Sequence, residues 1–110
     1  MPLSEKARIE VYLPDIDKPG YAELLEELDS EFTFSSRGCT LARGFTGSYL
    51  SRLGIVMRDP INVLYTDIPV SLSANFQAVS DYADKLRQAA FLALDEEAIL
   101  VVAYPVYHSQ

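Results

Sequence analysis

Six hydrophobic segments follow one another in the order strand, helix, strand, strand, helix, strand, and that order restricts the fold more than any motif in the chain. Arg8–Leu13 alternates with period two: Ile9, Val11 and Leu13 point one way, and Arg8, Glu10 and Tyr12 the other, as in a half-buried strand. Pro19–Phe32 has helical period, with Tyr21, Leu24, Leu25, Leu28 and Phe32 forming one apolar stripe. Cys39–Phe45 and Ile61–Thr66 read as extended, Phe76–Leu94 as a second helix, and Ala98–Tyr107 as a nearly unbroken apolar strand.

Local signals agree with these periods. Pro14-Asp15-Ile16-Asp17 ends the first strand, and Asp17 or Lys18 caps a helix whose first turn holds Pro19, where the missing N–H costs nothing. Thr46–Pro60, with Gly47 and Gly54, reads as a long hairpin with extended arms. Ser73 and Asn75 are both good caps for the second helix, along which Phe76, Val79, Ala83, Leu86, Ala90 and Ala93 make the core stripe. After Ala89 that helix is apolar nearly all round, so a second surface is expected to cover it. Residues 1–6 read as a loose arm, and the whole of 1–110 as one domain, too short for two cores.

This order predicts an α+β, ferredoxin-like βαββαβ sandwich: an antiparallel sheet with strand order 4-1-3-2 and two helices on one face. The last strand then lies at an edge, and the opposite face of the sheet is bare. An edge that apolar is an aggregation hazard, and Leu100, Val102 and Tyr104 would add an exposed apolar patch. A homo-oligomer, dimer or trimer, resolves both difficulties.

Nine basic and sixteen acidic residues give a net charge of −7, with acids gathered at Glu23, Glu26, Glu27, Asp29 and Glu31 and again at Asp95–Glu97. Nucleic acid and anionic membrane surfaces need a basic face, so neither is expected as a partner. The amino-terminal segment lacks the apolar core of a signal peptide, and no apolar run is long enough to span a bilayer as a helix. The single cysteine excludes an intrachain disulfide, and the expected location is the cytoplasm.

Candidate chemistry is sparse. Cys39, between Arg37 and Arg43, reads either as an activated thiol or as a small buried residue under the first helix. His108 reads as a general base or as a tail residue; a metal site would have to combine it with Asp67, Asp95, Glu96 or Glu97, and no ligand spacing suggests one. Gly44-Phe45-Thr46-Gly47-Ser48 opens no helix and precedes no lysine, so it reads as hairpin backbone rather than a phosphate loop. Arg37, Arg43, Arg52 and Arg58 lie in or beside Arg37–Pro60, with Arg8 a candidate spatial neighbour, so five of the nine basic residues read either as one positive surface or as structural partners of Asp59, Asp67 or acids of a neighbouring subunit. Tyr49, with Tyr12, Tyr65, Tyr82, Tyr104 and Tyr107, belongs to a set that lines either a pocket or an oligomer interface.

The segments ending near Arg37-Gly38-Cys39-Thr40, the stretch Arg43-Gly44-Phe45-Thr46-Gly47-Ser48-Tyr49-Leu50, then Asp59–Asp67 and the closing Pro105-Val106-Tyr107-His108-Ser109, resemble small uncharacterised bacterial proteins, cyanobacterial ones among them. The layout is similar to trimeric PII and CutA-like signalling and metal-tolerance proteins, and to dimeric α+β barrels. The connection between the second and third strands is short and Val70–Asn75 holds no basic residue, so PII-type nucleotide binding is not implied. The expectation is a non-catalytic oligomeric binding or regulatory protein that needs no cofactor or metal. It would sense a small anionic ligand or a partner protein through Arg37, Arg43, Tyr49, Arg52 and Arg58. The alternative is a small dimeric α+β-barrel-type enzyme with a tyrosine-lined pocket.

Overall fold

The computed structural model describes residues 2–96 and 99–109. Its elements run β1 (Leu3–Pro14), α1 (Pro19–Ser36), β2 (Thr40–Leu50), β3 (Val56–Ile68), α2 (Phe76–Leu94) and β4 (Leu100–Ser109). The strands form one antiparallel sheet in the order β2-β3-β1-β4. This is the ferredoxin-like arrangement expected from the order of patterns, with β4 at one edge. The expected strand start at Ala98, and Glu97 of the acidic run, lie outside the described residues.

Both helices pack on the face of the sheet that carries Ala7, Ile9, Val11 and Leu13, all fully buried. The α1 stripe meets them with Tyr21, Leu24, Leu28 and Phe32, as its 3-4 spacing requires. Lys18 takes the N-cap in an extended conformation, and Arg37 closes the helix in the left-handed region, its N–H donating to the Thr33 carbonyl at 3.0 Å. In α2 the buried residues are Val79, Leu86, Ala90 and Leu94. Leu94 thus takes the place expected of Ala93, while Phe76 and Leu92 lie outward. Apolar composition on all sides could not tell which of the adjacent residues faces the sheet.

One expectation is corrected. Residues 3–6 are not a loose arm but the start of β1, paired from Leu3↔Ser109 to Lys6↔Val106 with the end of β4. Glu5 ties this end down, accepting the Leu72 N–H at 3.0 Å and the Tyr107 hydroxyl at 3.3 Å. Ser4-Glu5-Lys6 shows no apolar alternation, but backbone pairing needs none when β4 supplies a ladder of N–H and C=O groups.

The hairpin arms are longer than hydrophobic alternation indicated. β1 leaves β3 at Pro14↔Ile61, after which β2 and β3 continue as a two-stranded ribbon to Leu50↔Val56, giving the molecule its 48 Å long axis. A bulge interrupts the pairing between Ala42 and Phe45, and there Gly44 adopts φ +89°, a conformation open to glycine at little cost.

Candidate functional site

Among the described residues nothing covers the face of the sheet turned away from the helices, and cross-strand register fixes what it displays. Asp67 on β3 stands opposite Arg8 on β1, which stands opposite Tyr104 on β4. The next row is Tyr65, Glu10 and Val102, and the one after it Val63, Tyr12 and Leu100. Directly opposed residues share a face, so one polar row lies beside two largely aromatic and aliphatic ones.

Arg8 holds Asp67 through two guanidinium nitrogens, Nε to Oδ1 at 2.7 Å and Nη2 to Oδ2 at 2.9 Å. His108 reaches across β1 to place Nε2 2.7 Å from the same Oδ2, and the Arg8 Cζ lies 4.5 Å over the centre of the Tyr65 ring. Arg8 keeps the Asp67 carboxyl below the usual carboxylate range, with His108 adding to the effect and burial partly opposing it. An ionised carboxylate only accepts, so the Nε2 of His108 carries the proton in this contact. Glu10 accepts two phenols, Tyr12 at 2.7 Å and Tyr104 at 2.5 Å. The hydrogen bond to that carboxylate pushes the Tyr12 phenol up to about 12, and Tyr104 moves in the same direction for the same first reason.

These contacts pair Asp67 and Glu10 with donors, so neither carboxylate stands as an unpartnered base in this arrangement. Nor is Cys39 activated. Burial, followed by the nearby charge of Asp29, pushes its thiol up, the opposite of what a nucleophilic thiolate requires. Two clefts flank the cluster. One, of about 350 Å³, is lined by Glu10, Tyr12, Phe45, Ile61, Val63 and Tyr65. The other, of about 600 Å³, lies where the end of α1 meets the sheet and is lined by Lys6, Ser36, Arg37, Asp67, Pro69 and His108.

No family model and no curated protein matches the sequence. Solved structures do match. CutA1 from Oryza sativa aligns over 98% of this chain and 85% of its own, at 18% identity and a TM-score of 0.60. The divalent cation tolerance protein CutA1 from Thermus thermophilus aligns over 96% and 87%, at 16% identity and a TM-score of 0.57. A nitrogen regulatory PII-like protein, CPII from Thiomonas intermedia, bound to ADP, AMP and bicarbonate, aligns over 99% and 100%, at 14% identity and a TM-score of 0.53. The chain shares the ferredoxin-like layout of these proteins. At such identities the likeness is one of fold.

Within this layout the arginines of Arg37–Pro60 are spread out. Arg37 caps α1 beside Asp67 and His108, Arg43 sits in the bulge of β2, and Tyr49, Arg52 and Arg58 occupy the distal ribbon and its turn. The ends of β2 are about 33 Å apart at ~3.3 Å per residue, so Arg37 and Arg52 of one chain do not share a small ligand. His108 does meet Asp67, whereas Asp95 and Glu96 follow α2 and Glu96 pairs with Lys18. Among the described residues no three His, Cys, Asp or Glu side chains gather as a metal site, and no helix is long and apolar enough to cross a membrane. Asp67 is a candidate partner in sequence for the arginines, Arg8 among them, and for His108; that both meet it at once depends on the register of β1 against two strands, since Asp67 lies 59 residues from Arg8 and 41 from His108.

Proposed function

We propose that this is a non-catalytic binding or regulatory protein that assembles as a dimer or trimer through the open face of its sheet and senses a small anionic ligand or a partner protein in the cytoplasm. The observation that carries this reading is the bare face itself, where Phe45 and Leu100 remain about half exposed beside Tyr12, Val102 and Tyr104. Leaving such a surface in water forgoes roughly 25 cal/mol for each Å² of apolar area that a second copy would cover. Anionic ligands fit the layout, since one protein that shares it is bound to ADP, AMP and bicarbonate. Arg43, Tyr49, Arg52 and Arg58 of the ribbon are proposed to reach that ligand at the boundary between copies. Arg43→Ala and Arg52→Ala would then weaken binding without unfolding the protein.

Light scattering at several concentrations tests the assembly. A stable dimer or trimer is expected; a monomer throughout the series would overturn it and leave the face as a surface for another protein. An enzyme of the dimeric α+β-barrel type is the second reading, favoured by the cleft beside Tyr12 and Tyr65. The Tyr12 hydroxyl and Glu10 in that cleft already satisfy one another, which weighs against it.

A further inference from the structure

We infer that the cleft at the end of α1 is a binding site for a small oxyanion, a phosphate or a carboxylate, held by Lys6 and Arg37, with His108 in its wall. This rests on the reading of the protein as a sensor of an anionic ligand, and assigns that ligand to a place distant from the β2–β3 ribbon.

Four observations converge. The cleft measures about 600 Å³, within the usual range for small-molecule sites. Lys6 and Arg37 line it, and neither forms an ion pair among the described residues, although the chain as a whole carries a charge of −7. The one acid in the lining, Asp67, has both oxygens engaged, by the fork of Arg8 and by His108, so its charge is already answered. Finally, the hydroxyl of Ser36 is shielded from solvent without a hydrogen-bond partner. Rotation of the Ser36 side chain would turn that hydroxyl toward the cleft the residue lines.

The opposing influence is the carboxyl end of α1, which presents roughly half an elementary negative charge. The left-handed cap at Arg37 consumes one of those carbonyls, that of Thr33, and two full positive charges outweigh the remainder. Tyr65 beneath Arg8 and the carbonyl of Gly38, which already accepts the Thr66 hydroxyl at 2.6 Å, offer no charge of their own. An oxyanion with several acceptor oxygens can bridge an ammonium and a guanidinium through different atoms, whereas chloride offers both a single acceptor centre.

His108 is the only histidine, so the one imidazole Cε1–H resonance reports directly on the cleft. The full chain is titrated with inorganic phosphate and, separately, with citrate, each against sodium chloride at matched ionic strength. The expected result is a saturable shift of that resonance and of the Ser36 and Arg37 amides with phosphate, citrate or both, and none with chloride. Phosphate alone would identify a phosphate site, citrate alone a carboxylate site. Lys6→Ala and Arg37→Ala, with unchanged far-ultraviolet circular dichroism, should each weaken binding by roughly tenfold, the loss of one charge-assisted contact.

Linear, non-saturating shifts, shifts equal to those in chloride, or unchanged affinity in both variants would overturn the site. If Arg43→Ala and Arg52→Ala weaken binding instead, the ligand belongs to the ribbon: this inference fails while the sensor reading stands. If no anion binds anywhere, both fail.

Discussion

Asp67 is the residue on which the open face depends, because its two oxygens join its own strand to side chains from both β1 and β4. Asp67→Asn removes the charge that answers Arg8 while keeping the shape. With the pair partly shielded, the expected loss is about 1–2 kcal/mol by chemical denaturation near neutral pH. The pH dependence follows from the direction of the shift. Asp67 is held below its ordinary value of 3.8, chiefly by Arg8, so its contribution is complete above that value and disappears as pH falls through the lower folded-state value. Wild type and Asp67→Asn should therefore differ at pH 7 and converge in strong acid. A difference that persists in acid would mean the substitution acts through packing instead. Arg8 and Asp67 are both candidates in sequence, but a charged residue on the polar side of an alternating strand does not reveal which of several acids or bases it faces.

At the scale of elements, what distinguishes this chain is how far its strands run past their hydrophobic alternation. β1 gains its first residues by pairing with β4, and β2 and β3 gain their distal halves by pairing with each other. The ribbon approaches itself closely at Gly47, where an added methyl group would sit 2.8 Å from Cγ1 of Ile61. That carbon is near the stem of a branched side chain, so it cannot swing clear as a flexible tip would. Gly47→Ala should cost about 1–3 kcal/mol, read as a lower denaturation midpoint with an unchanged slope. A neutral result would show that the β2–β3 ribbon shifts freely. The 3-4 spacing of α1 revealed its buried face in advance, whereas the terminal turns of α2 did not. Periodicity carries information only where polar residues mark the other side.

For the whole molecule, the consequential feature is a sheet with helices on one face and none on the other. Leu100→Lys combined with Val102→Lys puts two charges into the proposed contact between copies but touches neither helix. The expected outcome in light scattering is dissociation to monomer, with helical circular dichroism retained. An assembly indifferent to both lysines would place the contact elsewhere, for instance on the exposed Phe91 and Leu92 of α2.

The sequence by itself determined the order of elements and the core of α1, because alternation, helical stripes and turn residues are local and each limits its neighbours; the strand order followed only as the commonest arrangement of those six elements. Its acid excess also argued, on charge alone, against a face for nucleic acid. Only the tertiary structure decided that Arg8, Asp67 and His108 meet, that Arg37 and Arg52 stand at opposite ends of β2, and that Lys6, Ser36 and Arg37 line one cleft. The first of these depends on the register of three strands, and a shift of one residue would turn Arg8, Asp67 or His108 to the other face of the sheet.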